Sequence, residues 1–405
     1  MTGKARLPAN AAPVVVFAAT TATALLAAPA IASQLASQFG LPPSQVGLYF
    51  TVEQAGMCLA SIPAAWWLTR VPWRRVAAVA LGLFIAANLL SVQAQDFATL
   101  LPLRAVSSLS GGTLMVLSMT LAGRSAERER LFALWTMGQL VVGATLLFLL
   151  PSAFATFGLA LLYALIAVLA AGNLLLLRQL PAQVETRPHA ERGAAGESKP
   201  GGGRSDLPVR SMVFGVVGVL FYYIGFGGLW PFLGAIAQAG GAQAIAGGTV
   251  LGLAGLAGLG GAVVAATLAR KDGQQGGRGT LVVGYAIHAV GLLALVHEPA
   301  LARFVVAACL LKGASNFTLP FILGHTARLD RDGRLMGFTN MAIGGGLAIG
   351  PLITGRLIEA TGGLAALIAL TFAWLAASAL LVLSIGSRRA RPAATPLAVP
   401  GIAKA

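Results

Sequence analysis

Twelve apolar stretches run along this chain of 405 residues, each about as long as a lipid bilayer is thick. A helix needs about 20 apolar residues to cross the hydrocarbon core, because its backbone polar groups must all bond within the segment. The chain is 57% hydrophobic and only 10% charged. These features predict an all-α polytopic membrane protein with twelve transmembrane helices. The stretches lie near residues 12–33, 45–68, 76–94, 98–121, 132–151, 156–177, 212–236, 246–269, 279–296, 301–325, 336–358 and 363–386.

The basic residues behind the net charge of +15 are sorted by topology and do not form one soluble patch. They fall in alternate loops, and on the intervening side only Arg303 and Arg356 lie near helix ends. The positive-inside rule therefore predicts that both termini are cytoplasmic, in a multi-pass membrane protein that binds no nucleic acid. The basic loops contain Lys4, Arg6, Arg70, Arg74, Arg75, Arg124, Arg128, Arg130, the segment 178–210, Arg270, Lys271, Arg278, Arg328, Arg331, Arg334, Arg388, Arg389 and Arg391.

One loop is long, charged and rich in Gly and Pro, which predicts a flexible cytoplasmic linker over 179–209. It separates two six-helix bundles, residues 1–178 and 210–390, and residues 391–405 form a cytoplasmic tail. The halves also look related, because Arg124 and Arg130 are followed by Arg328 and Arg334 at the same offset of 204 residues. Duplication of a six-helix unit explains this offset, although topology alone also places basic residues at cytoplasmic helix ends.

The loop between the second and third stretches carries a recognisable motif. Residues 65–75, Ala-Trp-Trp-Leu-Thr-Arg-Val-Pro-Trp-Arg-Arg, resemble the first signature of the major facilitator superfamily, Gly-x-Leu-x-Asp-Arg-x-Gly-Arg-Arg. Thr69 replaces the Asp of that signature and Pro72 replaces its second Gly. The resemblance assigns a gating loop to the basic residues Arg70, Arg74 and Arg75.

A second resemblance lies in the fourth stretch, where Arg104, Ser108 and Gly112 follow an Arg-x-x-x-Gly-x-x-x-Gly spacing, with Ser in place of the first Gly. The chain as a whole is similar to the bacterial, drug/proton-antiporter-like branch of the superfamily, and this resemblance implies a bacterial inner membrane. That resemblance implies secondary transport by alternating access, with helices 1, 4, 7 and 10 lining a central pathway. Arg104 and Lys312 would then lie on opposite walls of this pathway.

Helix 11 contains a Gly-Pro pattern that predicts a hinge. Glycine lets helices approach closely, and proline removes a backbone hydrogen bond, so that a helix can bend. Tight packing without bending is the alternative explanation. The proposed hinge consists of Gly346, Gly350 and Pro351.

Three charged residues fall well inside the apolar stretches: Glu53, Arg104 and Lys312. Charges at such depth usually face a polar cavity or pair with each other. Glu53 and Arg104 lie at similar depth, roughly 10 Å below the outer helix ends at about 1.5 Å per residue. They could form an ion pair, Glu53 could instead carry a coupling proton, or it could face the lipid headgroups.

Lys312 lies deepest, near the middle of helix 10, with Asn316 one turn later on the same side. We expect Lys312 to serve transport, with a structural hydrogen bond as the alternative. Around Tyr222, aromatic residues, glycines and Pro231 predict a broken helix 7 whose rings form or gate a binding site, against a simple interfacial aromatic belt. His288 is expected to be structural. The further candidates for binding or coupling are Tyr222, Tyr223, Trp230, Gln139 and Asn340.

The sequence contains no enzymatic signature, metal-binding spacing or nucleotide-binding loop, so we expect no enzyme, no cofactor and no metal. Transport would then be secondary. We favour proton-coupled efflux of amphipathic compounds, and the alternative is a proton-coupled transporter of a small organic anion. A membrane sensor or scaffold that transports nothing is a third hypothesis. The expected partners are a small-molecule substrate, protons and the lipid bilayer, and the protein is expected to act as a monomer.

Overall fold

The structure of the protein is a computed structural model that describes residues 11–125, 127–180, 209–271, 278–297, 299–327, 329 and 334–385. Most of the predicted linker and the whole predicted tail lie outside the described residues. The described residues form fourteen α-helices and no strand. The helices are α1 (Ala11–Thr21), α2 (Thr23–Leu26), α3 (Ala28–Phe39), α4 (Pro43–Leu59), α5 (Ser61–Arg70), α6 (Trp73–Val92), α7 (Phe97–Arg124), α8 (Arg128–Asn173), α9 (Val209–Ala239), α10 (Ala244–Lys271), α11 (Arg278–Leu293), α12 (Leu301–Ala327), α13 (Arg334–Thr361) and α14 (Ala365–Ser384).

The all-α membrane fold is confirmed, and the helices are consistent with twelve spans. By length and composition, eight of the described helical segments could cross a membrane, and the longest of these covers both the fifth and the sixth predicted spans. This segment turns at Gly158, whose backbone angles of φ 63° and ψ −166° are not helical. The first span comprises α1, α2 and α3, and the second comprises α4 and α5. A 3-10 helix, Leu174–Gln179, follows α8.

The prediction of a broken helix 7 is wrong, because α9 runs as one continuous helix from Val209 to Ala239. Its glycines serve close packing. A Cβ on Gly227 would lie 3.0 Å from the Cα of Leu347, and one on Gly225 would lie 3.1 Å from the Cβ of Trp374. The interruption occurs in the first span instead, at Ala22 and Ala27.

The two halves meet mainly along three helix pairs: α4 with α13, α8 with α10, and α3 with α9. Small residues make this approach possible. A Cβ on Gly47 would collide with the carbonyl of Pro351, and one on Gly355 would collide with the carbonyl of Pro43. The α3 and α9 contact lies at the end of the bundle near Gly40 and Gly241. We call this the outer end, following the orientation that the charges predict.

Candidate functional site

Glu53 and Arg104 form a buried ion pair, with 3.4 Å between Glu53 Oε1 and Arg104 Nη1. The two side chains are 5% and 1% exposed, respectively, so both charges are removed from water and lipid. Arg104 Nη2 also donates to Asn88 Oδ1 at 3.1 Å and to Ser91 Oγ at 3.0 Å. Several polar partners thus stabilise the guanidinium, as a buried charge requires.

Two tyrosines extend this cluster. The Arg104 guanidinium lies 4.5 Å from the ring centre of Tyr163, and the hydroxyl of Tyr163 lies 3.2 Å from that of Tyr49. Tyr49 is on the same helix as Glu53, one turn earlier, and both tyrosine side chains are buried. All of these partners belong to the first half of the chain.

The resemblance implied that Arg104 faces the central pathway opposite Lys312, but the guanidinium points into the first half instead. Its contacts come from α4, α6 and α8, because Ser91 and Asn88 lie on α6 and Tyr163 lies on α8. Among the described residues, no hydrogen bond, ion pair or cation–π contact joins Arg104 to the second half. The pair neutralises its own charges within the first bundle.

Lys312 lies against aromatic rings of α9. Its ammonium nitrogen is 3.9 Å from the ring centre of Trp230 and 5.5 Å from that of Phe226, and these two rings stack on each other at 6.0 Å. Cation–π contacts of this kind contribute about 0.5–2 kcal/mol. The side chain is half-buried, and no carboxylate of the described residues pairs with it. Lys312 is thus a cation within the bundle that contacts aromatic rings and pairs with no acid among the described residues.

Three side-chain amides, on α4, α8 and α12, have a nitrogen without a partner. Gln54 Nε2, Gln139 Nε2 and Asn316 Nδ2 are buried and make no hydrogen bond with any described residue. The Asn316 amide lies 2.7 Å from the position that a Cβ on Gly258 would occupy, so this glycine provides the room for it. A buried donor without a partner is costly, which makes such groups candidates for contact with water or a ligand.

Tyr222, predicted to line the site, joins a hydrogen-bond network within the second half. The hydroxyl of Tyr222 lies 3.2 Å from His288 Nε2, and the same nitrogen lies 3.3 Å from Ser315 Oγ. His288 Nδ1 lies 2.9 Å from the carbonyl oxygen of Gly284. This buried network joins α9, α11 and α12 within the second half. Tyr222 therefore stays a prediction for substrate binding without a contact that supports it.

Tyr223 and Asn340 make no hydrogen bond or cation–π contact with Lys312 in the part of the chain that the structure describes. The ring of Tyr223 packs edge-on against Tyr222 with 5.6 Å between ring centres. Asn340 is exposed on α13. Both residues therefore stay predictions for substrate binding.

In the predicted gating loop, Thr69 replaces the acid of the family signature, and Arg74 binds backbone carbonyls. Arg74 donates to the carbonyls of Leu177, Arg178 and Leu180, at 3.1, 3.0 and 3.2 Å. It thereby ties the start of α6 to the end of the sixth span. In the second half, Arg278 at the start of α11 donates to the carbonyl of Ile385 at 3.1 Å, just after α14.

The other two arginines of that loop, Arg70 and Arg75, are exposed. Arg70 lies over the ring of Trp66 at 5.6 Å, one turn earlier, and Thr69 bonds the carbonyl of Trp66. A gating role for Arg70, Arg74 and Arg75 remains a prediction.

The predicted hinge lies in a continuous α13. A Cβ on Gly346 would lie 2.6 Å from the Cβ of Tyr223, and one on Gly350 would lie 2.5 Å from the carbonyl oxygen of Ile224. Pro351 faces Gly47 on the other side of the helix. These residues pack α13 between α9 and α4, which agrees with the close-packing explanation and leaves hinge motion as a prediction.

Several side chains around Arg104 and around Lys312 were not predicted from the sequence. Tyr49 lies four residues before Glu53, a spacing that places both on one helix face. Asn88, Ser91 and Tyr163 gave no such signal, because they come from other helices and join the cluster only through tertiary packing. Phe226 lies one turn before Trp230 and could have been found from the same spacing rule.

No group of three or more potential ligands that could hold a metal ion occurs among the residues that the structure describes. The two cysteines, Cys58 and Cys309, are both free.

Comparison with known proteins identifies the class. The family model of the Major Facilitator Superfamily matches residues 14–351, so the chain belongs to this family of membrane transporters. No curated protein matches the chain by sequence. Among solved structures, a D-xylose–proton symporter has a TM-score of 0.72 at 13% identity, over 93% of this chain and 96% of that one.

Two further structures show the same fold. A point mutant of the nucleoside transporter NupG has a TM-score of 0.66 at 11% identity, over 93% of this chain and 98% of that one. A bacterial homologue of the human lysosomal transporter Spinster, in an inward-facing and unoccupied conformation, has a TM-score of 0.61 at 14% identity, over 94% of this chain and 95% of that one. At these identities the likeness shows the fold alone. Family and fold together indicate a secondary transporter and not an enzyme.

Proposed function

We propose that this protein is a secondary active transporter of a small organic anion, with Lys312 as the charge that binds the substrate. The observation that carries this proposal is the position of Lys312 inside the bundle without an acidic partner among the described residues. A charge at this depth needs a counter-charge, water or a polar cavity to offset its desolvation. Glu53 does not serve as that counter-charge, because it pairs with Arg104. A substrate carboxylate or phosphate would complete the site.

The unpartnered amides support an anionic substrate as well. Asn316 lies one turn from Lys312, and its buried Nδ2 is a donor without an acceptor. Carboxylate oxygens accept several hydrogen bonds, so one anionic group can engage an ammonium and an amide together. Gln139 on α8 would contribute from the first half, as a transporter that closes around its substrate requires.

Proton-coupled efflux of amphipathic compounds is the second candidate. The stacked rings of Phe226 and Trp230 favour it, because they offer an apolar and aromatic surface beside Lys312. Glu53 would be the proton carrier in either case, and the charged and titratable groups around it are Arg104, Tyr49 and Tyr163. We place the protein in a bacterial inner membrane, as its resemblance to bacterial transporters of the superfamily implies, and its charge distribution gives the orientation.

The test is substrate-dependent flux in proteoliposomes that contain Lys312→Ala, Lys312→Arg or the wild-type protein. Arg303→Ala serves as the control, because it removes one positive charge from the outer end of the same helix. Arg303 lies there on the surface and donates to the carbonyls of Val296 and His297.

We expect Lys312→Ala to reduce the transport of organic anions at least about tenfold while the protein stays folded, the effect of losing roughly 1.4 kcal/mol of binding free energy. Lys312→Arg should keep only part of the wild-type transport, because a planar guanidinium differs from a compact ammonium in shape and hydration. An equal loss of flux for anionic, neutral and cationic amphipathic substrates would favour the efflux candidate instead. Wild-type flux of every tested substrate in Lys312→Ala would contradict the site.

A further inference from the structure

Trp230 joins the two halves of the molecule deep in the bundle, about two and a half turns before the outer end of α9. Its indole N–H donates to the carbonyl of Leu25 in the first span, with 2.9 Å between Nε1 and the oxygen. The face of the same ring contacts the ammonium of Lys312 at 3.9 Å. One side chain therefore contacts both the first half and the candidate substrate site.

The carbonyl of Leu25 is available because of the residue four positions later. In an α-helix this oxygen would accept a hydrogen bond from the N–H of residue 29. Residue 29 is proline, which has no N–H. The indole of Trp230 takes the place of the missing donor, in a part of the membrane where an unpaired carbonyl would be costly.

Close contacts join the two halves between this hydrogen bond and the outer end. A Cβ on Gly234, one turn after Trp230, would lie 2.5 Å from Ser33 Oγ and 2.9 Å from the carbonyl of Pro29. On the neighbouring pair of helices, Gly248 faces the ring of Pro151 at a similarly short distance. A cavity of about 140 Å³ lies among these residues. Opening at this end requires α3 and α9 to separate.

We propose that Trp230 is a positioning residue that holds the outer end closed through its hydrogen bond to the Leu25 carbonyl. Separation of the first and seventh spans breaks this bond and removes the indole donor from the carbonyl that Pro29 exposes. A substrate that engages Lys312 acts on the same indole ring, which couples occupancy of the site to the outer closure. The hydrogen bond holds whatever the substrate is, whereas its coupling to occupancy rests on the proposed substrate site at Lys312.

The experiment measures the distance between spin labels at Ser37 and Ala239 by pulsed electron paramagnetic resonance, without substrate, in lipid nanodiscs. Both positions are exposed at the outer ends of the first and seventh spans. Cys58 and Cys309 are first replaced by alanine. The variant is Trp230→Phe, which keeps an aromatic face for Lys312 and removes the N–H. Trp374→Phe is the matched control, because the indole N–H of Trp374 is buried and has no partner.

Trp230→Phe should raise the ratio of long to short distances about threefold to tenfold, as expected for the loss of one interhelical hydrogen bond in a membrane. Trp374→Phe should leave the ratio unchanged. An unchanged ratio in a folded Trp230→Phe protein would overturn the proposal. If Trp230→Phe does not fold, Pro29→Ala decides, because its new N–H competes with the indole for the Leu25 carbonyl. It should also raise the ratio, and an unchanged ratio there would overturn the proposal in the same way.

Discussion

At the scale of single residues, the ion pair of Glu53 with Arg104 is the centre of a buried polar cluster in the first half. Taking two charges out of water costs several kcal/mol for each ion, and a single contact at 3.4 Å does not offset this alone. Asn88 and Ser91 supply the additional hydrogen bonds to Arg104. Such a cluster is sensitive to the removal of one member, because the remaining charge stays buried.

The first prediction at this scale concerns Glu53→Gln. If Glu53 only stabilises Arg104, the neutral amide leaves a buried guanidinium without a counter-charge and should lower the free energy of unfolding by about 3 kcal/mol. If Glu53 carries the coupling proton, pH-driven flux should disappear in a protein that stays folded. Thermal unfolding and flux in proteoliposomes with a pH gradient measure the two effects.

Glu127→Gln is the matched control for this prediction. Glu127 forms an exposed pair with Arg130 at 2.9 Å, one turn apart, and its loss should change the free energy of unfolding by less than about 1 kcal/mol. Unchanged stability together with unchanged proton-driven flux in Glu53→Gln would remove Glu53 from both roles.

At the scale of helices, glycines decide how closely α13 packs. Gly350 touches the backbone of α9, and its neighbours there are the carbonyl of Ile224 and the amide of Gly228. Backbone atoms cannot move aside as the end of a long side chain can. The distance between the two helices is therefore set by the absence of a side chain at this position.

Gly350→Ala should lower the free energy of unfolding by about 1–3 kcal/mol, because the added methyl group forces two backbones apart. Gly345→Ala on the same helix is the control, since a Cβ there would lie 4.0 Å from its nearest neighbour, the side chain of Leu220. Alanine is also the better helix former, so this control should be as stable as the wild type or slightly more stable. Equal thermal unfolding midpoints for the two variants would contradict the packing explanation.

At the scale of the whole molecule, basic side chains gather at one end of the bundle. Arg74 binds the carbonyls after α8, and Arg124 lies over the ring of Trp73 at 4.5 Å. At the opposite end, Gln38 Oε1 accepts a hydrogen bond from the backbone N–H of Leu159 at 2.9 Å. Loops that the charges assign to opposite sides of the membrane therefore lie at opposite ends of the fold.

The topology prediction is that reporters fused in the 179–209 linker and at Ala405 report the cytoplasm. Reporters near Gln38, Asp96 and Gly241 should report the periplasm. Asp96 caps α7 by accepting from the backbone N–H of Thr99 at 2.7 Å, which holds the pKa of its carboxyl below the ordinary value and keeps a charge at that surface. A linker reporter that responds from the periplasm would contradict the arrangement of two halves.

The sequence alone determined the class of fold and the depth of its charges. Lipid offers no hydrogen bonds to a backbone, so stretches of about 20 apolar residues fold as spanning helices whatever their neighbours are. The same constraint made Glu53, Arg104 and Lys312 visible as exceptions. Local spacing was enough to place Asn316 beside Lys312, because both follow one helical face.

Only the tertiary structure decided which way these side chains point. The rotation of each helix depends on packing with its neighbours, which one-dimensional spacing does not encode. Packing turned Arg104 toward Asn88 and Tyr163 in its own half, and it set the Tyr222 hydroxyl beside His288. The helix interruption predicted for helix 7 occurs in the first span instead. There Pro29 has no N–H to donate to the carbonyl that Trp230 binds. A proline marks a missing donor in the sequence, but only the folded chain supplies the group that replaces it.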